Sequence, residues 1–458
     1  MKEQDLTQGS VGKTLLRFAV PYLLSAFLQT FYGLADVFIT GQFNGAASIT
    51  AVTVGSQVTH MLTVVIVGLA MGGTVSIGLA VGAKNRAAAS RAIGNTSALF
   101  ALFAAIATAG LLVGTNSILS VLSVPEAAWQ EARRYLLICF AGVPFITAYN
   151  VLSSIYRGLG DSRRPMYFVA VAGVINIGLD YWMIGPMGMG AAGAALATVI
   201  AQGLSVVLAL VYLKRHMEGL TLSKTDFRVD RPMMGQILRV GLPVAVQDGF
   251  VQVAFLTITV IANRRGVEVA AAVGIVEKFI SFLFLVPSAM LSAVSAIAAQ
   301  NAGAGEHQRG RTTLYYAMAV CVAVGLAVAG VCQFRAEAVL RLFAREEETV
   351  ITLGAQYLRS YVFDCAIAGV HFCFSGYFCA YQRSIWSFVH NLAAILLVRI
   401  PGAWLASVYF PATLYPMGWA APLGSLLSAL ICVVVYLAIR RRGGWDSVPA
   451  AAGKSETA

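Results

Sequence analysis

The chain has 458 residues, of which 58% are hydrophobic and only 12% are charged, and its mean hydropathy is +0.76. A soluble domain carries about 25% charged residues, so this composition excludes an ordinary soluble protein and predicts an all-α polytopic membrane protein. The net charge of +11 would suit a nucleic-acid-binding protein. We attribute it instead to loop lysines and arginines on one side of a membrane, and we expect no nucleic-acid partner.

Apolar stretches along the chain predict twelve membrane spans. A helix needs about 20 residues to cross the hydrocarbon core of a bilayer, and each stretch is long enough. The predicted spans are 15–40, 50–81, 92–114, 134–156, 165–185, 191–213, 236–262, 269–300, 312–334, 355–380, 385–409 and 418–439. The first stretch is too long for the apolar core of a signal peptide, so we expect it to remain as a span.

The distribution of positive charge predicts the orientation in the membrane. With both termini in the cytoplasm, 22 of the 32 lysines and arginines lie on the inner side and 7 lie on the outer side. An excess of lysine and arginine in cytoplasmic loops is the usual pattern. We therefore predict a multi-pass protein of the plasma membrane with both termini cytoplasmic.

An internal repeat divides the chain into two halves. The sequence of Leu15–Pro21, LLRFAVP, returns 222 residues later as ILRVGLP at Ile237–Pro243. Two halves of six spans each, repeated in parallel, are common in secondary transporters. The predicted domains are an N-terminal six-helix lobe at 1–213, a cytoplasmic linker at 214–235, a C-terminal six-helix lobe at 236–440 and a disordered cytoplasmic tail at 441–458.

Asp36, near the outer end of the first span, is the most informative polar residue. A charged side chain in the middle of a span costs roughly 2.5–3.5 kcal/mol, so such residues face a cavity or a partner. Pro21 lies earlier in the same span and is predicted to bend it, because proline removes a helical hydrogen bond. Pairing with a basic residue for stability alone is the alternative, although the outer parts of the first-half spans contain no lysine or arginine.

Asn176 and Asp180 lie four residues apart in the fifth span and therefore share one face of a helix. Asp180 matches Asp36 in depth, and Thr198 in the sixth span falls at a similar level, whereas Asn150 lies deeper. Two carboxylates in a shielded pocket repel each other, which favours uptake of a proton or a small cation. The alternative is that the amide and the acid only hold helices together.

The second half carries other polar groups within its predicted spans, namely Asp248, Glu277, Asp364 and Arg399. Asp364 and Arg399 are possible partners across the tenth and eleventh spans. All seven cysteines fall in apolar stretches without a CxxC motif, and the histidines are scattered, so we expect no cofactor and no structural metal. No nucleophile constellation points to an enzyme, and no repeated filter loop points to a channel.

Four stretches carry a family resemblance, and they are LQTFYGLADVFITG, YRGLGDSRRPMYF, NIGLDYWMI and GAAGAALATVIAQ. In this order and at this spacing they resemble the multidrug and toxic compound extrusion (MATE) family. The resemblance implies two six-helix lobes around a central cavity. It also implies export of organic, often cationic, compounds driven by inward flow of protons or sodium ions.

The resemblance also implies a coupling site in the N-terminal lobe. Its residues would be Asp36, Asn150, Asn176, Asp180 and Thr198, with a transient sodium ion or a proton held at the Asp36 and Asp180 carboxylates. Pro21 matches a proline at which the first helix bends in some members. Some sodium-coupled members carry a seventh-span glutamate where this chain has Val251, so a second-lobe ion site is not implied.

Taken together, these features predict a monomeric secondary active antiporter for small organic molecules in the lipid bilayer. It would export hydrophobic, cationic compounds in exchange for protons or sodium ions by alternating access. The alternative is a flippase of a related fold for a lipid or a lipid-linked oligosaccharide. A flippase of that kind should have a cavity lined by several arginines, and the predicted spans contain few.

Overall fold

A computed structural model describes residues 5–216, 223–344 and 347–445, and the regular structure in these ranges is entirely helical. The helices are α1 (Val11–Phe43), α2 (Ala46–Gly82), α3 (Arg86–Val121), α4 (Glu126–Ala141), α5 (Val143–Gly158), α6 (Arg163–Ile184), α7 (Gly190–His216), α8 (Arg231–Asn263), α9 (Val267–Leu283), α10 (Leu285–Gly303), α11 (His307–Arg341), α12 (Glu348–Tyr361), α13 (Asp364–Ala380), α14 (Ile385–Ala394), α15 (Ile400–Tyr409), α16 (Tyr415–Gly418) and α17 (Ala420–Arg441). A π-helical turn, Ile395–Arg399, joins α14 to α15.

Within the described residues, ten helical segments are long and apolar enough to cross a membrane, and two bent helix pairs bring the number to twelve. The predicted twelve spans are therefore confirmed. The eleventh span, Ile385–Tyr409, has the predicted bounds. Other helices extend beyond the apolar stretches, because a helix continues into the polar region until a cap or a turn ends it. For example, α3 begins at Arg86, where the Asn85 side chain accepts a hydrogen bond from the Ala88 amide at 3.0 Å.

The fourth and tenth spans are broken rather than straight. The α4–α5 pair bends by 47° and the α12–α13 pair bends by 41°. Gly142 separates α4 from α5, and Pro144 follows it in the first turn of α5, where a missing amide hydrogen is tolerated. The two bends fall at the same place in each half of the chain, as expected for a repeat.

The chain forms two compact units, which are described separately. The first unit is Val20–Leu238, and the second comprises Leu6–Ala19 and the described residues from Arg239 to Trp445. The segment before α1 is held inside the second unit, since the Leu6 amide donates to Gln300 Oε1 at 3.4 Å and Asn301 Nδ2 donates to the Leu6 carbonyl at 3.3 Å. Residues 6–19 therefore differ from the predicted N-terminal lobe, which began at residue 1.

The second part of the predicted linker packs against α3 in the first unit. The Asp230 amide donates to Asn95 Oδ1 at 2.8 Å, and Asn95 Nδ2 donates to the Asp226 carbonyl at 3.3 Å. Gly94 allows this approach, because a Cβ atom there would overlap the Asp226 backbone. The first part, residues 217–222, lies outside the described residues.

The first residues of the predicted tail, 441–445, are packed against the second unit. After α17, the chain turns so that the Trp445 side chain is only 1% exposed. Its indole nitrogen donates to the Tyr436 carbonyl at 3.0 Å, and its ring stacks on Phe378 with a centroid distance of 5.9 Å. Burial of a large aromatic ring explains why the packed chain continues to Trp445. Residues 446–458 lie outside the described residues.

Candidate functional site

The carboxyl groups of Asp36 on α1 and Asp180 on α6 are buried together in the first unit. The two residues are 4% and 0% exposed, and each carboxyl lies close enough to affect the electrostatics of the other. Thr198 on α7 donates its hydroxyl to Asp36 Oδ2 at 3.3 Å, and the Asn176 amide lies in the surroundings of the Asp36 carboxyl. Four of the five predicted N-terminal site residues therefore converge on one point.

Small residues leave room for aromatic side chains of α1 next to α6. A Cβ atom at Gly173 would lie 3.3 Å from the Tyr32 ring of α1, and one at the Gly185 position would lie 2.9 Å from the Phe43 ring. The start of α7 presents further small residues, including the buried Ala194. Small residues of this kind permit close packing of α6 and α7 in lipid.

The acids lack the partners that buried carboxylates need. Asp36 Oδ1 and both carboxyl oxygens of Asp180 have no hydrogen-bond partner among the described residues, and the same is true of both amide atoms of Asn176. Buried charge is unfavourable unless it is neutralised or paired. This arrangement can therefore be neutralised by a proton shared between the carboxyls, or by a hard cation that accepts carboxylate, amide and hydroxyl oxygens.

A cavity of about 10 Å³ adjoins this cluster, lined by Tyr32, Asn176, Thr198 and Gln202 among others. The Gln202 amide donates to the Tyr32 hydroxyl at 3.3 Å, which fixes the polar wall. A volume of roughly 10–15 Å³ of this kind holds about one water molecule. The space beside the carboxyls thus suits a single small ion or water and excludes an organic molecule.

Asn150, the fifth predicted residue, faces a different cavity. Its amide donates to the Ile146 carbonyl at 2.8 Å, and its side chain lines a polar space of about 50 Å³ together with Tyr22, Ser153 and Arg157. Because Asn150 lies on α5, one bend away from the outer half of its span, its predicted contribution to the Asp36 cluster stays a prediction.

Pro21 lies in the interior of α1, which runs without interruption from Val11 to Phe43. Pro243 occupies the corresponding place in α8. Each proline leaves one carbonyl of the preceding turn without its helical donor, which weakens the helix locally. Bending at Pro21 stays a prediction.

In the second unit, Arg399 lies between two acids. Its guanidinium donates to the Tyr361 hydroxyl at 2.6 Å and lies over the Phe255 ring at 4.8 Å from the centroid. Glu277 and Asp364 both interact electrostatically with it. The guanidinium donates its hydrogen bond to tyrosine, and the pairing of Asp364 with Arg399 stays a prediction.

The two other acids of the second half have separate surroundings. Glu277 accepts a hydrogen bond from the Thr259 hydroxyl at 3.4 Å. Asp248 on α8 is partly buried and lies within electrostatic range of Cys379. A role for either acid in ion binding stays a prediction.

Sequence reasoning missed a buried histidine–serine network in the second unit. His390 contacts the Ser375 hydroxyl at 2.9 Å and the Ser428 hydroxyl at 3.2 Å, and His371 contacts the Ser425 hydroxyl at 3.3 Å. The histidines are far apart in sequence and lie on α13 and α14, so no short motif revealed them. The π-helical turn that ends at Arg399 was also missed, although Pro401, which cannot complete an α-helical ladder, follows closely.

Comparison with known proteins decides the family. The MatE family profile matches residues 21–182 and 243–405, which together make up most of the chain. The chain belongs to the MatE family. The two matches begin at Pro21 and Pro243, so the 222-residue repeat found in the sequence is also the repeat of the MatE unit.

Relatives of this MatE chain include proteins of similar length. The probable multidrug resistance protein YoeA of Bacillus subtilis (strain 168) is 28% identical over 414 residues, which cover 89% of each chain. An FAD transporter of Shewanella oneidensis is 25% identical and covers 96% of this chain and 97% of its own. A crystal structure of MATE in the bent conformation has a TM-score of 0.88 at 23% identity, covering 96% of this chain and 97% of that one.

These matches establish the general class of the protein. The solved structure shows that the chain has the two-lobe fold of MATE transporters. MatE proteins are transporters that sit in the lipid bilayer and handle small molecules. This chain is therefore a multi-pass membrane transporter of the multidrug-efflux family and not an enzyme.

Proposed function

We propose that this MatE transporter is a secondary active antiporter of the plasma membrane, which exports hydrophobic, cationic compounds in exchange for protons or sodium ions. The observation that carries the proposal is the shared burial of Asp36 and Asp180, three of whose four carboxyl oxygens have no hydrogen-bond partner among the described residues. Such a pair gains stability when it binds a proton or a cation, and it loses that stability when the ion leaves. Coupling of ion and substrate requires this difference in stability between the ion-bound and the ion-free pair.

The proposed cycle uses alternating access. An ion that enters from outside neutralises the Asp36–Asp180 pair, the packing of α1 changes, and substrate leaves on the outer side. Pro21 favours such a change because α1 is already weakened there. One charge that moves through a membrane potential of about 100 mV supplies roughly 2.3 kcal/mol, which is enough to export a substrate against a concentration gradient. We also propose that the transporter works as a monomer with both termini in the cytoplasm, as the loop charges favour.

The decisive variant is Asp36→Asn, which keeps the shape of the side chain and removes its ionisation. We expect this change to abolish ion-driven transport of ethidium, a hydrophobic cation, in proteoliposomes, while the protein still folds and elutes as the wild type does. Glu126→Gln is the matched control, because Glu126 is an exposed acid of the same unit. Wild-type transport by Asp36→Asn would refute the proposal.

The same proteoliposomes distinguish the two ions. Ethidium movement is measured with a proton gradient alone and with a sodium gradient alone, each in the presence of ionophores that collapse the other. Transport that responds to one gradient assigns the coupling ion. Transport that responds to neither gradient would contradict antiport altogether.

A further inference from the structure

Arg157, at the end of α5, is a buried cation in the first unit that lacks an acidic partner. Arg157 is only 7% exposed, and its Nε atom has no hydrogen-bond partner among the described residues. The nearest acid in sequence, Asp161, is already engaged, since it accepts hydrogen bonds from the Arg164 guanidinium and from the Arg163 and Arg164 amides. Arg157 is therefore available for another anion.

The Arg157 side chain lines the larger cavity of the first unit, whose volume is about 50 Å³. The walls of this cavity are polar, and the buried hydroxyl of Ser153 lies one helical turn before Arg157 on the same helix. Tyr22 closes the space from α1, with its ring centroid 5.4 Å from the guanidinium carbon. The cavity has room for a group of a few heavy atoms, such as a carboxylate or a chloride ion.

The charge of the lining is unbalanced. Arg157 carries the positive charge of the cavity wall. The other described lining residues, which include Ser25, Gln29 and Asn150, are uncharged. The end of the α5 helix dipole and the Tyr22 ring offset part of the charge, as expected for an arginine in a last helical turn. Neither supplies two neighbouring hydrogen-bond acceptors, which is the arrangement that a planar guanidinium group binds best. A buried Nε–H group without an acceptor is unfavourable.

We propose that this cavity binds a small anionic group through Arg157, either the carboxylate of an organic substrate or an inorganic anion such as chloride. The site goes beyond the proposed export of cations, because it adds recognition of negative charge. A molecule that carries both an amine and a carboxylate would then be a better substrate than its amide. The assignment rests on the geometry of the first unit and does not depend on ion coupling at Asp36.

The test is equilibrium binding to the purified, full-length protein in lipid nanodiscs, with carbon-14 acetate in one arm and chlorine-36 chloride in the other. At least one of these anions should bind with a stoichiometry near one, and Arg157→Gln should weaken its binding by about tenfold or more, as loss of a charge-assisted hydrogen bond predicts. Arg163→Gln should bind as the wild type does, because Arg163 is exposed at the same end of the unit. Neutral acetamide should not compete with acetate.

The two arms identify which anion occupies the site, and either anion supports it if Arg157 is required. Equal binding by wild type and Arg157→Gln, or no binding of either anion to wild type, would overturn the assignment. If Arg157→Gln does not fold, Arg157→Lys replaces it, since a lysine keeps the charge but loses the planar fork and should still weaken the binding of acetate. Because binding needs no ion gradient, failure here is distinguishable from failure of the antiport proposal.

Discussion

Thr198 is the side chain that donates a hydrogen bond to the Asp36 carboxylate, at 3.3 Å. A hydroxyl in that position stabilises the ionised form of the acid and offers an oxygen to a bound cation. In the proposed mechanism, Thr198 therefore contributes to the affinity for the coupling ion rather than to the existence of the site. A similar hydroxyl on Thr40 donates to the Asp36 backbone carbonyl at 2.7 Å and does not touch the carboxylate.

These two threonines allow a matched pair of substitutions. Thr198→Val removes the hydroxyl at nearly constant volume, and we expect the ion concentration for half-maximal transport to change by about tenfold, since a hydrogen bond to a charged group is worth roughly 1.5 kcal/mol. The maximal rate should change little. Ion titration of ethidium transport in proteoliposomes measures both quantities.

Thr40→Val is the control, and its ion dependence should stay close to that of the wild type. An unchanged ion dependence in Thr198→Val would show that the hydroxyl does not contribute to ion binding. A large loss of maximal rate in both variants would point instead to altered packing of α1.

At the scale of helices, close packing depends on glycines that no periodicity argument singled out. A Cβ atom at Gly158, the last residue of α5, would lie 2.8 Å from the Ile77 Cβ and 2.9 Å from the Thr74 carbonyl oxygen of α2. Both contacts are shorter than real Cβ atoms show. By contrast, a Cβ atom at Gly178 on α6 would meet nothing within 4 Å.

We therefore expect Gly158→Ala to destabilise the protein by about 1–3 kcal/mol, as overpacking of a close helix contact does. Gly178→Ala should be neutral or slightly stabilising, because alanine favours a helix interior by roughly 0.5–1 kcal/mol over glycine. Thermal unfolding of the two purified variants, monitored by size-exclusion chromatography, compares their stabilities directly. Equal melting temperatures for both would contradict the α5–α2 packing seen here.

The sequence was informative about helices wherever hydrophobicity decided the outcome. The number and order of the spans were predicted correctly, because a long apolar stretch in a chain of this composition forms a membrane-spanning helix. The bends at Gly142 and after Tyr361 were not predicted, since each break lies inside one continuous apolar stretch. The π-helical turn before Ile400 was missed for a similar reason, because the change concerns hydrogen-bond register and leaves the hydrophobic pattern intact.

The same limits applied to the site residues: a relation within one helix could be predicted, and contacts among several helices could not. The i, i+4 relation of Asn176 and Asp180 could be predicted within one helix. Depth along the span suggested the pairing of Asp180 with Asp36, and both residues are buried in the structure. The partner of Arg399 required knowledge of three helices at once, and its hydrogen bond goes to Tyr361. Likewise, no local pattern indicated that Arg157 would be buried beside a cavity while Asp161 was held by Arg164.

At the scale of the whole molecule, the charge asymmetry of the loops makes a topology prediction that labelling can test. All seven native cysteines are buried, so background reaction with a maleimide should be low. We expect a membrane-impermeant maleimide to label Glu126→Cys on intact cells, because the α3–α4 loop is predicted outside. Glu306→Cys, in the predicted inner loop between α10 and α11, should react only after the cells are permeabilised.

Both glutamates are exposed, which makes them suitable positions for a reactive thiol. Labelling of Glu306→Cys and not of Glu126→Cys on intact cells would invert the orientation. Labelling of both without permeabilisation would contradict an odd number of spans between them. The two outcomes are distinguishable in a single experiment.

The attachment of the segment before α1 has a consequence for the order of assembly during synthesis. Leu6 is made well before its hydrogen-bond partners, Gln300 and Asn301, which follow it by 294 and 295 residues. Arg309, which donates to the Leu6, Gln8 and Gly9 carbonyls, is made later still. At about 5–20 residues per second, the segment waits on the order of tens of seconds for its binding surface. The segment therefore reaches its final position long after its own synthesis.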